Sequence, residues 1–354
     1  MTPIRIPLLA LLLFLLSISV YGQRPTDAQR LQQLLKRFPE ADANKDGKLT
    51  LEEARAYQQS RDNRNREVPS GRRPTHANVA YGPHERNRLD LWLAESDQPT
   101  PLVVCIHGGG FRAGDKSKYA RDPMVKRLLD AGISVASINY RLTENGKHPF
   151  PAPMLDGGRA IQFLRHHAEE YHLDKRRIAA TGGSAGACMS MWLAFHDDLA
   201  DPDNEDPVLR ESTRLTAIAP SAGQSTLDPR TFRKWFGGTP LKEHPALRPL
   251  FGIPSEGEIE YSDVLLSLFE KASPITHLDK EDQVPSYLSY GGGDVPIDEN
   301  SSPGLWVHHP RLGIKLKEAM DKLGIECHVQ YKDGPKIEGY ASSTHFLIRK
   351  LQGK

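Results

Sequence analysis

RIAATGGSAGACMS, residues 177–190, sets one serine between a short apolar run and a helix start built of small residues. Ile178, Ala179 and Ala180 read as a buried strand, and the stretch from Ala185 to about His196 reads as a helix. Ser184 therefore falls on a strand-to-helix turn, inside the pattern Gly182-x-Ser184-x-Gly186. A residue on so sharp a turn is held in an unfavourable backbone conformation, and bulky neighbours two positions away would collide. The turn lifts the hydroxyl clear of the sheet, at a helix N-terminus. There the Ala185 amide and the aligned peptide dipoles favour negative charge. A plain glycine-rich turn or a phosphate cradle would share this composition, so the nucleophile reading needs a second signal.

CIHGGGF, residues 105–111, supplies it. Three glycines leaving a buried strand expose backbone N–H groups and permit unusual dihedrals, as a loop facing a developing oxyanion requires. Gly109, Gly110 and Ala185 are the candidate donors. A phosphate cradle would prefer Lys and Ser or Thr after the glycines, whereas Phe111 follows here. His107 is read as a hydrogen-bonding brace for the loop rather than as a base.

From Val79 onward the chain alternates strand-like and helix-like segments. RLDLWLA has period two, PLVVCIH and ISVASINY are buried strands, and PMLDGGRAIQFLRHHAEEY is a helix. Such alternation predicts an α/β domain, a mainly parallel sheet covered by helices on both faces. The aromatic-rich stretch 226–283 interrupts it, and an insertion of that length at the strand ends is expected to cap a site.

A serine hydroxyl needs a base to take its proton. With an acid and a histidine expected after the serine, Asp294 follows the strand and glycine turn of SYLSYGGGD, with Asp298 in reserve. His308 and His309 come soon after the acid, and His328 lies within a strand. His345 opens the last helix, from which a histidine can reach across the strand ends, and it is chosen as the base.

These residues resemble the hormone-sensitive-lipase-like and feruloyl-esterase-related (BD-FAE-like) branches of the α/β-hydrolases. The shared features are HGGGF, Gly114-Asp115, NYRL at 139–142, HPFPAPMLD at 148–156, GGSAGA, SPITHL at 273–278, GGGDVPIDE and the terminal THF. The resemblance implies an α/β-hydrolase fold, with Ser184 as nucleophile, His345 as base and Asp294 as acid. It implies a serine esterase acting on a small-molecule or polysaccharide-linked ester, with no cofactor needed for the chemistry. The sequence departs from the pattern in three places. Tyr290-Gly291 stands where His-Gly is frequent, residues 143–146 replace an Ala-Pro-Glu loop, and Phe346 rather than Gly-Phe follows the terminal histidine. A peptidase or acyltransferase of the same fold, and an inert calcium-dependent scaffold, are the competing readings.

The N-terminus adds two features. Arg5 precedes an apolar run that ends in small residues near Gly22, the order of a secretory signal over residues 1–22. Export to the periplasm or exterior is expected, with no membrane span after cleavage; an uncleaved anchor is the alternative. The three cysteines, Cys105, Cys188 and Cys327, sit in apolar runs and read as buried free thiols.

DANKDGKLTLEE, residues 42–53, has oxygen donors at the spacing of a twelve-residue calcium loop. Asp42, Asn44, Asp46, the Lys48 carbonyl, Thr50 and Glu53 are the candidate ligands, and Gly47 makes the bend. An EF-hand-like module is thus expected over residues 26–62, then a polar linker over 63–78 and the catalytic domain over 79–354. The net charge of +1 argues against a nucleic-acid binder, which would need a basic face or stripe.

Overall fold

The computed structural model describes residues 31–35, 38–57 and 72–353. The expected signal peptide, the start and end of the expected calcium module and the first part of the linker lie outside the described residues. The chain divides into two units, Met1–Gly71 and Arg72–Lys354.

In the first unit, helical residues 31–35 and 51–57 flank the turn Pro39–Ala41 and the acidic loop. Leu34, Ala41, Leu49 and Ala54 form its small apolar cluster. Leu49 therefore looks inward while its polar neighbours face solvent.

The second unit is built on an eight-stranded sheet in the order β1-β2-β4-β3-β5-β6-β7-β8. Its strands are β1 (His76–Ala80), β2 (Arg88–Trp92), β3 (Thr100–Ile106), β4 (Ser134–Ile138), β5 (Leu173–Gly182), β6 (Ala217–Ile218), β7 (Ser286–Ser289) and β8 (Cys327–Gln330). The β1–β2 and β2–β4 pairings are antiparallel and every other pairing is parallel. β1 begins inside the stretch expected as linker, so the domain starts near Arg72 rather than Val79. Its polar sequence hid it because it is a mostly exposed edge strand.

The helices are α1 (Pro123–Asp130), α2 (Ala152–His166), α3 (Ala185–Phe195), α4 (Pro229–Trp235), α5 (Leu247–Phe251), α6 (Asp263–Ala272), α7 (Pro274–His277), α8 (Pro303–Val307), α9 (Arg311–Lys322) and α10 (Ser343–Leu351). β3 shows why the sheet is covered on both faces. Leu102, Val104 and Ile106 join one core with α2, α3 and α9, while Val103 and Cys105 join the other with α1 and α10. All seven residues of β3 are buried, so its apolar run is continuous, as a central parallel strand requires. The cysteines are buried and unpaired. The insertion between β6 and β7 carries α4 to α7.

Candidate active site

Ser184 stands between β5 and α3 with φ 53° and ψ −116°, a conformation that costs a non-glycine residue on the order of 1–3 kcal/mol. The Ser184 amide donates to the Ser221 carbonyl at 2.9 Å, which fixes the turn to the strand end beyond β6. The flanking glycines are there for close packing. A Cβ on Gly186 would lie 2.1 Å from the Ile106 carbonyl oxygen, and one on Gly182 would lie 2.6 Å from the Gly186 backbone.

The glycine loop after β3 lies against this turn. Gly109 and Gly110 have φ of 118° and 60°. A Cβ on Gly108 would meet the Gly183 carbonyl oxygen at 2.5 Å. Among the described residues, the amides of Gly109, Gly110 and Ala185 have no hydrogen-bond acceptor.

His107 braces the loop. Its Nδ1–H donates to the Gly108 carbonyl at 2.8 Å, its Nε2 faces the Arg86 guanidinium at 3.3 Å, and its ring stacks on Tyr140 at 4.3 Å. Burial pushes its pKa down to about 4, so the ring is neutral at neutral pH. The motif residues behind it form one continuous framework. Tyr140 donates to the His107 carbonyl at 2.8 Å, Asn139 donates to Asp115 at 2.7 Å, and Arg141 holds the buried Asp156 with Nη2 at 2.7 Å from Oδ1.

The histidine beside Ser184 is not the one expected from the sequence. Ser184 Oγ is 2.9 Å from His308 Nε2. His345 is not brought to the serine. Its Nδ1 accepts from the Ala341 amide at 3.1 Å, and its ring lies beside Tyr340, so it folds back onto the start of α10. The anchors of that helix, Phe346 and Leu347, are buried in the core shared with α1.

His308 instead ends α8, in the connection between β7 and α9. Gln224 donates to the Val307 carbonyl at 2.6 Å, which secures the residue before it. The residue after it is also tied down. His309 donates through Nε2 to the Val295 carbonyl at 2.9 Å and accepts the Arg311 amide at Nδ1.

Asp294 is not assembled with Ser184 and its histidine either. It accepts from Arg311 Nη2 at 2.8 Å and lies 3.7 Å from His309 Nδ1. That nitrogen already accepts the Arg311 amide, so it has no proton for the carboxylate in the neutral ring. Asp298, the reserve, accepts from the Asn300 amide and Ser301 Oγ. Among the described residues no carboxylate pairs with His308. The polar group acting on it from its own helix is the Gly304 carbonyl, which favours the charged ring, while burial works more strongly the other way and lowers its pKa.

Two cavities meet at Ser184. One, of about 700 Å³, runs under the insertion and is walled by apolar groups including Phe111, Leu227, Phe232, Leu247, Phe251 and Trp306. The other, of about 570 Å³, is lined by the glycine loop, Asp115, Lys118, Gly291 and His308.

In the first unit, Gly47 takes the left-handed bend with φ 78°. Its amide donates to Asp42 Oδ2 at 2.9 Å, while the Asp46 and Lys48 amides donate to Asn44 Oδ1 and Asp46 Oδ1. Asp42 is 8% exposed, and its other oxygen, Oδ1, is buried without a partner. An orphaned carboxylate oxygen at the first loop position fits a hard cation. Glu53 is engaged differently. Its carboxylate accepts the Thr50 amide and hydroxyl, and Thr50 Oγ1 accepts the Glu53 amide, a reciprocal cap on the helical residues 51–57. Those bonds, the Thr50 amide first, hold its carboxyl below the ordinary range. Among the described residues no three acidic, histidine or cysteine side chains converge on one point.

A parallel sheet with an antiparallel edge, a strained serine between β5 and α3 and a glycine loop after β3 together define an α/β-hydrolase fold. Solved structures agree. An acetyl ester-xyloside bifunctional hydrolase from Caldicellulosiruptor lactoaceticus superposes with a TM-score of 0.56 at 21% identity, covering 80% of this chain and 95% of the other. A bifunctional GH43-CE protein of Bacteroides eggerthii gives 0.59 at 22%, covering 78% of this chain and 38% of the other.

The BD-FAE family model matches residues 89–307, more than half of the chain, and the protein belongs to that family. Among curated relatives, a probable carboxylic ester hydrolase, LipM, of Mycobacterium tuberculosis is 28% identical over 229 residues, 62% of this chain and 49% of its own. A probable isoprenylcysteine alpha-carbonyl methylesterase, ICMEL1, of Arabidopsis thaliana is 30% identical over 254 residues, 68% of this chain and 48% of its own. The chain thus spans about half the length of the curated relatives it matches.

Proposed function

We propose that the protein is a serine carboxylic-ester hydrolase in which Ser184 and His308 carry out the chemistry. The observation that carries this reading is the 2.9 Å contact between Ser184 Oγ and His308 Nε2 at a strained turn beside unpartnered amides. Ser184 attacks the ester carbonyl as His308 Nε2 takes its proton. The amides of Gly109, Gly110 and Ala185 are the donors for the tetrahedral oxyanion. His308 then gives the proton to the departing alkoxide, and water activated by the same nitrogen releases the acid. Burial keeps His308 neutral and ready as a base at neutral pH. Family membership and esterase-named relatives support the ester class. Purified protein should hydrolyse short 4-nitrophenyl esters; a folded preparation inert to acetyl through octanoyl esters would contradict the proposal.

Export belongs to the same proposal and rests on the order of residues 1–22. A mature N-terminus just after Gly22 in protein recovered outside the cytoplasm would support it; protein found only in the cytoplasm with Met1 intact would contradict it.

The acidic loop is proposed to hold calcium through Asp42, Asn44, Asp46, Thr50, Glu53 and the Lys48 carbonyl. The ion would neutralise the orphaned Asp42 oxygen and stiffen the loop. Calorimetric titration of the full chain should show one calcium site, weakened at least tenfold by Asp42→Asn, with magnesium binding more weakly. No heat at millimolar calcium would refute the site.

A further inference from the structure

We infer that His244 is a specificity-determining hydrogen-bond donor that recognises an oxygen acceptor on the substrate group seated in the large cavity beside Ser184. This rests on the ester-hydrolase reading above. His244 comes from the insertion and lines the same cavity as Ser184. Its ring faces the glycine loop: Cε1 lies 3.9 Å from the point where a side chain on Gly110 would begin. The ring edge also approaches Trp306, at 6.3 Å between centroids.

Of the other nitrogen-bearing side chains on this wall, the Trp306 indole N–H is buried without a partner, and the arginines, Lys242 and Gln224 each have at least one. Arg248 pairs with Glu243 at 2.7 Å and Arg230 with Asp228 at 2.7 Å. Arg233 donates to the Gly238 carbonyl at 3.1 Å, and Lys242 reaches the Asn300 carbonyl at 3.5 Å. Gln224 spends its amide hydrogens on the Ala222 and Val307 carbonyls.

His244 has one nitrogen left. Nδ1 accepts the Ala246 amide at 3.2 Å, so the neutral ring carries its proton on Nε2. Among the described residues nothing accepts that proton. Burial first, then the neighbouring His308 and Arg112, lowers the pKa of His244 and favours this neutral donor. A half-buried N–H in a largely apolar wall gains most from a ligand that brings an acceptor to it. The substrate class that answers this is an ester whose acyl or alcohol chain carries an ether, hydroxyl or carbonyl oxygen, rather than a plain alkyl chain.

The test compares kcat/KM for 4-nitrophenyl hexanoate with its analogues in which one chain methylene is replaced by oxygen, and for hexyl acetate with the matching oxa-alkyl acetates. The wild type should prefer one oxygen position over its alkyl counterpart. His244→Phe, which keeps a ring but has no donor, should erase that preference by about tenfold, the effect of one neutral hydrogen bond, and His244→Gln should restore part of it. The oxa-to-alkyl ratio cancels any change in the active fraction. A wild type without preference at any position, or a His244→Phe variant with the wild-type ratio throughout, would overturn the inference. Failure to hydrolyse any of these esters would instead strike the hydrolase reading, and the inference with it.

Discussion

Replacing Ser184 with alanine is expected to lower kcat on every ester that the wild type hydrolyses by about 10⁴- to 10⁶-fold. The residual rate is what free amides and binding alone provide once the attacking oxygen is gone. The fold should survive, because an alanine occupies less space at a turn whose backbone is held by the Ser221 carbonyl and by flanking glycines. Relief of part of the strain at φ 53° is not expected, since alanine is no better suited to that region. Turnover by the alanine variant within tenfold of the wild type would show that hydrolysis proceeds elsewhere.

His308→Ala should lower kcat by about 10³- to 10⁶-fold, and His345→Ala by less than about threefold. The contrast is the content of the prediction. His345 should report on stability instead, because its removal leaves the Ala341 amide without its acceptor, at a cost of about 1 kcal/mol. Asp294→Asn should also be mild, under about tenfold. In a triad the same change would leave the histidine in the wrong tautomer and cost about 10⁴-fold. Here Asp294 contacts Arg311, so its effect is to loosen the segment that carries His308.

The pH profile follows the same assignment. A base must be unprotonated to act, so kcat/KM should fall as pH drops through the pKa of His308. Burial lowers that pKa from 6.5, so the acid limb of the profile should lie below the ordinary imidazole range.

The parallel sheet, the strand-to-helix turn at Ser184 and the free amides of the glycine loop were all legible in the sequence. Each depends on local signals: apolar periodicity, and glycines where a Cβ would collide. The histidine that meets Ser184 was not legible, because several histidines satisfy the required chain order and only tertiary placement separates them. Family habit favoured His345, yet Phe346 and Leu347 anchor its helix in the core away from the serine's hydrogen-bond partner. The signal for His308 was present but weak: a histidine pair closing Trp306-Val307, soon after the glycine turn that follows β7. Asp294 was placed correctly after that strand, but the sequence did not show that Arg311 would take its carboxylate. β1 escaped because an exposed edge strand needs few apolar residues.

The most direct test of the account is the rate at which a fluorophosphonate modifies Ser184 in the wild type, His308→Gln and His345→Gln, with the labelled residue located by mass spectrometry. Labelling requires an activated hydroxyl but no particular acyl group, so it reads the proton acceptor without knowledge of the substrate. The account predicts wild-type labelling at Ser184, a loss of at least about a hundredfold in His308→Gln and an unchanged rate in His345→Gln. Fast labelling without His308, together with slow labelling without His345, would contradict it.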